Sequence, residues 1–200
     1  MTRPTGPATR GRGDLSRTRI LDAAIRVLVE RGYANTSTLA IQAEAGVSRG
    51  RLLHHYPSRD KLLMAAVDHL ARTRIEEMPA QVEWPDDPAE RIGPAVDLGW
   101  STFHQPYFVA SMELWIAART NEALRSALVP TERQLGPTVR RAVAGFLGPE
   151  LTSRPRYPEL FPLLLSSMRG VATTYLIDRR DPTTDPHLQL WKAMTALYLL

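Results

Sequence analysis

The sequence predicts an all-α protein, an N-terminal three-helix helix-turn-helix domain plus a C-terminal helical domain, with about nine helices in total. Apolar residues recur at three- and four-residue intervals in one segment after another. No segment alternates apolar and polar residues with β-branched enrichment, as a half-buried strand would. Residues 36–63, TSTLAIQAEAGVSRGRLLHHYPSRDKLL, join two short helical patterns through a turn centred on Gly46.

Residues 1–13 hold Pro4, Pro7, three glycines and Arg3, Arg10 and Arg12, which cannot pack a core. A disordered basic arm is expected there, either lying on DNA phosphates or in a minor groove, or simply solubilising the chain. From Ser16, the residues Leu21, Ala24, Ile25, Leu28 and Val29 keep helical spacing, and Gly32 can stop that helix. One of Thr36, Ser37 or Thr38 caps the next helix, whose inward side is read as Leu39, Ile41 and Ala45. Gly46 can take the left-handed conformation that ends a helix, with Val47 tucked inward, and Ser48 caps the helix after it. Leu52 and Tyr56, four apart, close this small core. Pro57 ends the helix, and Ser58 opens a longer one, 59–78, with a buried stripe of Leu63, Ala66, Val67 and Leu70. The helix-turn-helix domain is thus placed at 14–58, a connecting helix at 59–78 and the second domain at 79–200.

In that second domain QVEWPDDPAE reads as a loop. Asp87-Pro88 pairs an N-cap with an N1 proline and opens a helix through Ile92, Val96, Trp100 and Phe103. Another runs from Pro106 to Arg119. The pattern from Asn121 to Leu147 is kinked or divided at Pro130 and Pro137. After a loop at GPELTSRPRYP, two amphipathic helices cover 160–177 and 186–200, the last capped by Asp185.

Charge separates the same regions. Residues 1–75 carry 13 Lys and Arg against 6 Asp and Glu, a net +7, whereas residues 76–200 carry 12 against 15, a net −3. Only the front is suited to a polyanion. The chain has no cysteine, which removes disulfides, thiolate metal sites and cysteine catalysis. No apolar run approaches the roughly 18 residues of a membrane span, so a cytoplasmic protein without membrane contact is expected. No Gly-rich phosphate loop, nucleophile elbow or metal-ligand cluster is present. A DNA-modifying or recombinase-type enzyme that docks through its helix-turn-helix is the competing possibility, and its acidic or nucleophilic catalytic set cannot be assembled here. No catalytic residue, metal or cofactor is expected.

On the helix opened by Ser48 the outward residues are Arg49, Gly50, Arg51, Leu53, His54 and His55. Arg51 sits one turn in, where its guanidinium can bond O6 and N7 of guanine. Gly50 lets the backbone approach the duplex, and one of His54 and His55 meets phosphate. Adjacent histidines diverge by about 100° on a helix and do not make a zinc site. Ser37 and Thr38 can bond phosphate through hydroxyl or backbone N–H, and Arg59 and Lys61 sit in the first turn of the following helix, where anions are favoured.

Residues 14–70 resemble the N-terminal domain of the TetR (tetracycline-repressor) family of bacterial transcription regulators. The resemblance is carried by AGVSRG at 45–50, by LLHHYPSRDKLL at 52–63, and by the RGY and Thr/Ser cluster after the first helix. Leu53 replaces a tyrosine common in the family; it could touch a thymine methyl or simply pack. The resemblance implies a repressor that binds a double-stranded DNA operator as a homodimer and is released by a small-molecule effector, apolar or amphipathic. It also implies an effector pocket in the central helices, where Trp100, Phe103, His104, Tyr107, Phe108, Met112 and Trp115 could line it or be plain core. The last two helices carry the dimer candidates Leu160, Leu164, Met168, Val171, Tyr175, Trp191, Met194 and Tyr198, with the alternative that these stripes only close the monomer.

Overall fold

The computed structural model describes residues 8–78 and 82–200, and within them it is helical throughout, with no strand. The ten α-helices among these residues are α1 (Ala8–Asn35), α2 (Thr38–Ala45), α3 (Arg49–His55), α4 (Arg59–Glu77), α5 (Pro88–Thr102), α6 (Pro106–Ala118), α7 (Glu122–Leu147), α8 (Pro149–Thr152), α9 (Tyr157–Thr174) and α10 (Pro186–Leu199). One 3-10 turn, Pro182–Thr184, precedes α10. The single-turn α8 lies where a loop was expected. α1 begins before the expected Ser16, so residues 8–13 of the expected basic arm belong to its backbone. The remainder of that arm, 1–7, lies outside the described residues.

Local chemistry sets most boundaries. Gly32 interrupts α1 with φ 70° and ψ 168°, a conformation that an L side chain rarely adopts. Thr36, fully buried, donates its hydroxyl to the Gly32 carbonyl at 2.8 Å and so holds the turn closed. Ser37 caps α2 by accepting from the Ala40 N–H, and Ser48 caps α3 by accepting from the Arg51 N–H. Gly46, at φ 62°, closes α2, and Arg19 donates to the Ala45 carbonyl beside it. Asp87 and Asp185 accept from Ala89 and His187 at the starts of α5 and α10. Pro130 and Pro137 do not divide α7, which runs unbroken through both.

The chain packs as two units. The first comprises the residues up to Ala71 together with Ala110–Val129; the second comprises Arg72–Val109 and Pro130–Leu200. Packing therefore does not follow the expected partition at 58 and 78: the end of α6 and the start of α7 join the DNA-reading helices. They do so because Ala110, Leu114, Ala118, Leu124 and Leu128 share one buried cluster with Ile20, Leu28, Ile41, Leu52, Leu63 and Ala66.

The second unit is organised around Trp100. Its indole N–H donates to the Pro182 carbonyl at 2.8 Å, and its ring lies 4.3 Å from His104, 4.8 Å from Trp191 and 5.8 Å from Tyr175. The Tyr175 hydroxyl donates to the buried Asp185 carboxylate, which also takes the backbone N–H of His187. Burial and the neighbouring carboxylate push the Tyr175 phenol up to about 12. Burial alone would raise Asp185, but the bonds from Tyr175 and His187 outweigh it and hold the acid below its usual range.

Candidate nucleic-acid interface

In α3 only Leu52 faces the core, 1 % exposed, with Tyr56 following at 6 %. Every other side chain of the helix is turned outward or half so, because a seven-residue helix of about two turns buries only one narrow stripe. Ser37, Ser48, Arg49, Gly50, Arg51, Leu53, His54 and Lys61 are exposed, and Thr38 and His55 half-buried. A Cβ placed on Gly50 would meet nothing within 4 Å, so the backbone there is open to a close approach. The imidazoles of His54 and His55 stand 5.5 Å apart edge to face. Among the described residues no group of three or more His, Asp or Glu side chains is placed to hold a metal ion.

Two expectations change. Leu39 is not on the inward side of α2; it is 69 % exposed, whereas Ile41 and Ala45 are buried. Two residues along a helix turn by roughly 200°, so Leu39 and Ile41 cannot share a face. Arg59 is not extended toward solvent for phosphate. Its guanidinium lies 4.2 Å over the Tyr33 ring and donates to the carbonyls of Tyr33 (3.4 Å) and Thr36 (3.2 Å), with Nε 3.3 Å from Asp60.

Arg59 is part of a polar hub at Tyr33. The Tyr33 hydroxyl donates to Asp60 at 2.9 Å and receives from the Asn121 side-chain amide at 3.3 Å. The backbone N–H of Tyr33 donates to the Glu113 carboxylate at 2.8 Å. Burial and the Asp60 carboxylate keep this phenol protonated above its ordinary range, against the pull of Arg59. Asn121 in turn accepts from the Leu124 N–H and caps α7. The end of α1, the start of α4, α6 and the start of α7 are tied at one tyrosine. Sequence reading placed Tyr33 in its RGY motif but missed this role; Glu113, the single acid within the otherwise apolar SMELWIAA, was the available signal.

Of the expected effector-pocket residues, Trp100, Phe103 and Phe108 are buried and His104 and Tyr107 half-buried in the second unit; Met112 and Trp115 belong to the first. The His104 Nε2 is buried without a hydrogen-bond partner, and burial lowers its pKa despite the Asp185 charge. Of the dimer candidates, Leu160, Met168 and Trp191 are buried within the chain, and Tyr175 is engaged with Asp185; Leu164, Val171, Met194 and Tyr198 are half-buried. Arg156 covers the Tyr198 ring at 3.6 Å. The exposed large apolar side chains of α9 and α10 are Leu163, Leu190 and Leu197.

The family model described as bacterial regulatory proteins, tetR family, matches residues 20–66, from the buried stripe of α1 into α4. The HTH-type transcriptional regulator BetI of Brucella anthropi is 32 % identical over 148 residues, covering 73 % of this chain and 74 % of that protein. The chain belongs to the TetR family. It is a DNA-binding transcription regulator of that family, and nothing supports the enzyme alternative. The fold is shared with other TetR-fold proteins along nearly the whole length. The transcriptional regulator FadR of Bacillus subtilis, solved with stearoyl-CoA, has a TM-score of 0.63 at 16 % identity, covering 90 % of this chain and 96 % of its own. The multidrug-binding protein EbrR, solved with proflavin, has a TM-score of 0.55 at 22 % identity, covering 92 % and 99 %. No helix among the described residues is long and apolar enough to cross a membrane.

Proposed function

We propose that this chain is a cytoplasmic repressor that binds a palindromic operator as a homodimer and leaves it when a small apolar or amphipathic molecule binds among the central helices. The observation that carries the proposal is the Tyr33 hub. The Glu113 carboxylate of α6 holds the backbone of the turn that leads into α2, so movement of α6 acts directly on the base of the DNA-reading helices. The effector is read as touching Trp100, Phe103, Tyr107 and Phe108, with the unbonded His104 Nε2 as its polar handle, because a buried nitrogen without a partner is stabilised by a ligand that supplies one. FadR, solved with stearoyl-CoA, and EbrR, solved with proflavin, support an organic ligand with a sizeable apolar part.

On the DNA side Arg51 reads a base edge, Arg49 and Gly50 sit close to the groove, and Ser37, Thr38, Ser48, His54, His55 and Lys61 contact the backbone. The dimer face is read as Leu163, Leu164 and Val171 of α9 with Leu190, Met194 and Leu197 of α10. These recur at helical spacing and stay at least partly exposed in the single chain, as self-complementary surfaces do.

A ligand must bind the two states unequally to shift them. The test is a melting-temperature screen of the chain against acyl-CoAs, free fatty acids and planar aromatic cations, followed by titration onto operator DNA. A molecule that raises the melting temperature and lowers operator affinity at least tenfold supports the proposal, and the His104→Leu variant should then respond less. Stabilising molecules that leave operator affinity unchanged would contradict it.

A further inference from the structure

An apolar notch of about 150 Å³ opens on the DNA-reading face between α2 and α3. Its walls are the buried Leu52, the exposed Leu39 and Leu53, and Thr38, Gln42 and Arg49. Leu39 and Leu53 are 69 % and 40 % exposed although buried space lies next to them, so the free chain leaves a concave apolar surface in water. The notch is continuous with the residues proposed to meet DNA, and two of those, Thr38 and Arg49, line it. In a major groove one base-edge group is apolar, the C5-methyl of thymine.

We propose that Leu39 and Leu53 together read a thymine by enclosing its C5-methyl, with the Gln42 amide beside it for the neighbouring polar base edge. This rests on the DNA-binding function above and adds to it a second specificity element, distinct from the guanine contact of Arg51. The site then contains a thymine that no hydrogen bond selects. A methyl group transferred from water into an apolar enclosure is worth about a fourfold change in affinity.

The experiment uses the full chain and duplexes enriched from a random pool. Each thymine of a half-site is replaced by deoxyuridine in turn, which removes the methyl and leaves base pairing intact, and binding is read by fluorescence anisotropy. One thymine per half-site should show a loss of about fourfold while the others change little. In the Leu39→Ala/Leu53→Ala double variant, whose melting curve checks folding, the same replacement should have no effect, and the variant should bind the thymine duplex as weakly as the parent binds the uracil one. Enrichment with no methyl-sensitive position, or sensitivity that persists in the double variant, overturns the notch while leaving DNA binding intact. A pool that yields no enriched sequence overturns the DNA-binding reading, and the notch with it.

Discussion

Arg59→Ala separates two roles that one charge can have beside DNA. The guanidinium spends its donors inside the protein, on two backbone carbonyls and Asp60, and rests on the Tyr33 ring. A bond from a charged donor is worth about 1.5–3 kcal/mol at good geometry, and those to Tyr33 and Thr36, at 3.4 and 3.2 Å, are long, which places both near or below the lower limit. A partly exposed cation–π contact adds about 0.5–1 kcal/mol. The pair with Asp60 adds little, since both side chains are about a third exposed. The loss expected in Arg59→Ala is therefore about 2–3 kcal/mol. Arg59→Lys should recover less than half of it, because an ammonium cannot span both carbonyls and the ring at once. Urea unfolding measures the stability, and operator titrations between 50 and 200 mM salt measure the ionic contribution. A residue tied inward leaves the slope of log K against log salt unchanged, whereas a phosphate contact flattens it by about 0.9 per protomer. Parental stability together with a flattened slope would refute the inward assignment.

Four further outcomes are expected. Arg51→Ala should cost about 1–3 kcal/mol on the cognate duplex and little on scrambled DNA; equal losses on both would remove it from base reading. Gly32→Ala should destabilise the chain by about 1–3 kcal/mol, because a side chain is strained at φ 70° and its Cβ would stand 3.2 Å from the Glu113 carboxylate; a melting temperature at or above that of the parent would contradict the geometry. Leu190→Glu/Leu197→Glu should yield a folded monomer in sedimentation experiments and weaken operator binding at least a hundredfold; an intact dimer would move the interface elsewhere. His104 has a folded pKa below its unfolded value, so its contribution is complete above about pH 6.5 and is lost as pH falls; His104→Phe should flatten the decline in stability between pH 7 and 5, and an unchanged decline would assign it to other groups.

Much of the fold was legible because its boundaries are set by short-range chemistry. Ser48, Asp87 and Asp185 cap the helices they were expected to cap, and Gly46 takes the left-handed φ expected of it. Where long-range packing decides, the sequence pattern was ambiguous. Leu39 and Ile41, two apart, cannot share a face of α2, and its eight residues do not say which of the two is buried; packing buries Ile41 and leaves Leu39 exposed. Apolar spacing in α9 and α10 marks a buried stripe without saying what buries it; Leu160, Met168 and Trp191 pack within the chain, and the exposed apolar residues stand on the neighbouring faces. Pro130 and Pro137 sit seven apart inside α7 and did not break it. Arg59 looked like a phosphate ligand because its partners, Tyr33 and Thr36, are more than twenty residues away in the chain.

Selection of bound DNA from a random pool by the full chain tests the central claim most directly. The expected product is one inverted repeat, its half-site centres about one helical turn or 34 Å apart, or a multiple of it, each containing a guanine for Arg51. Recovery of no preferred sequence, or of a single asymmetric half-site, would contradict a dimeric operator-binding repressor.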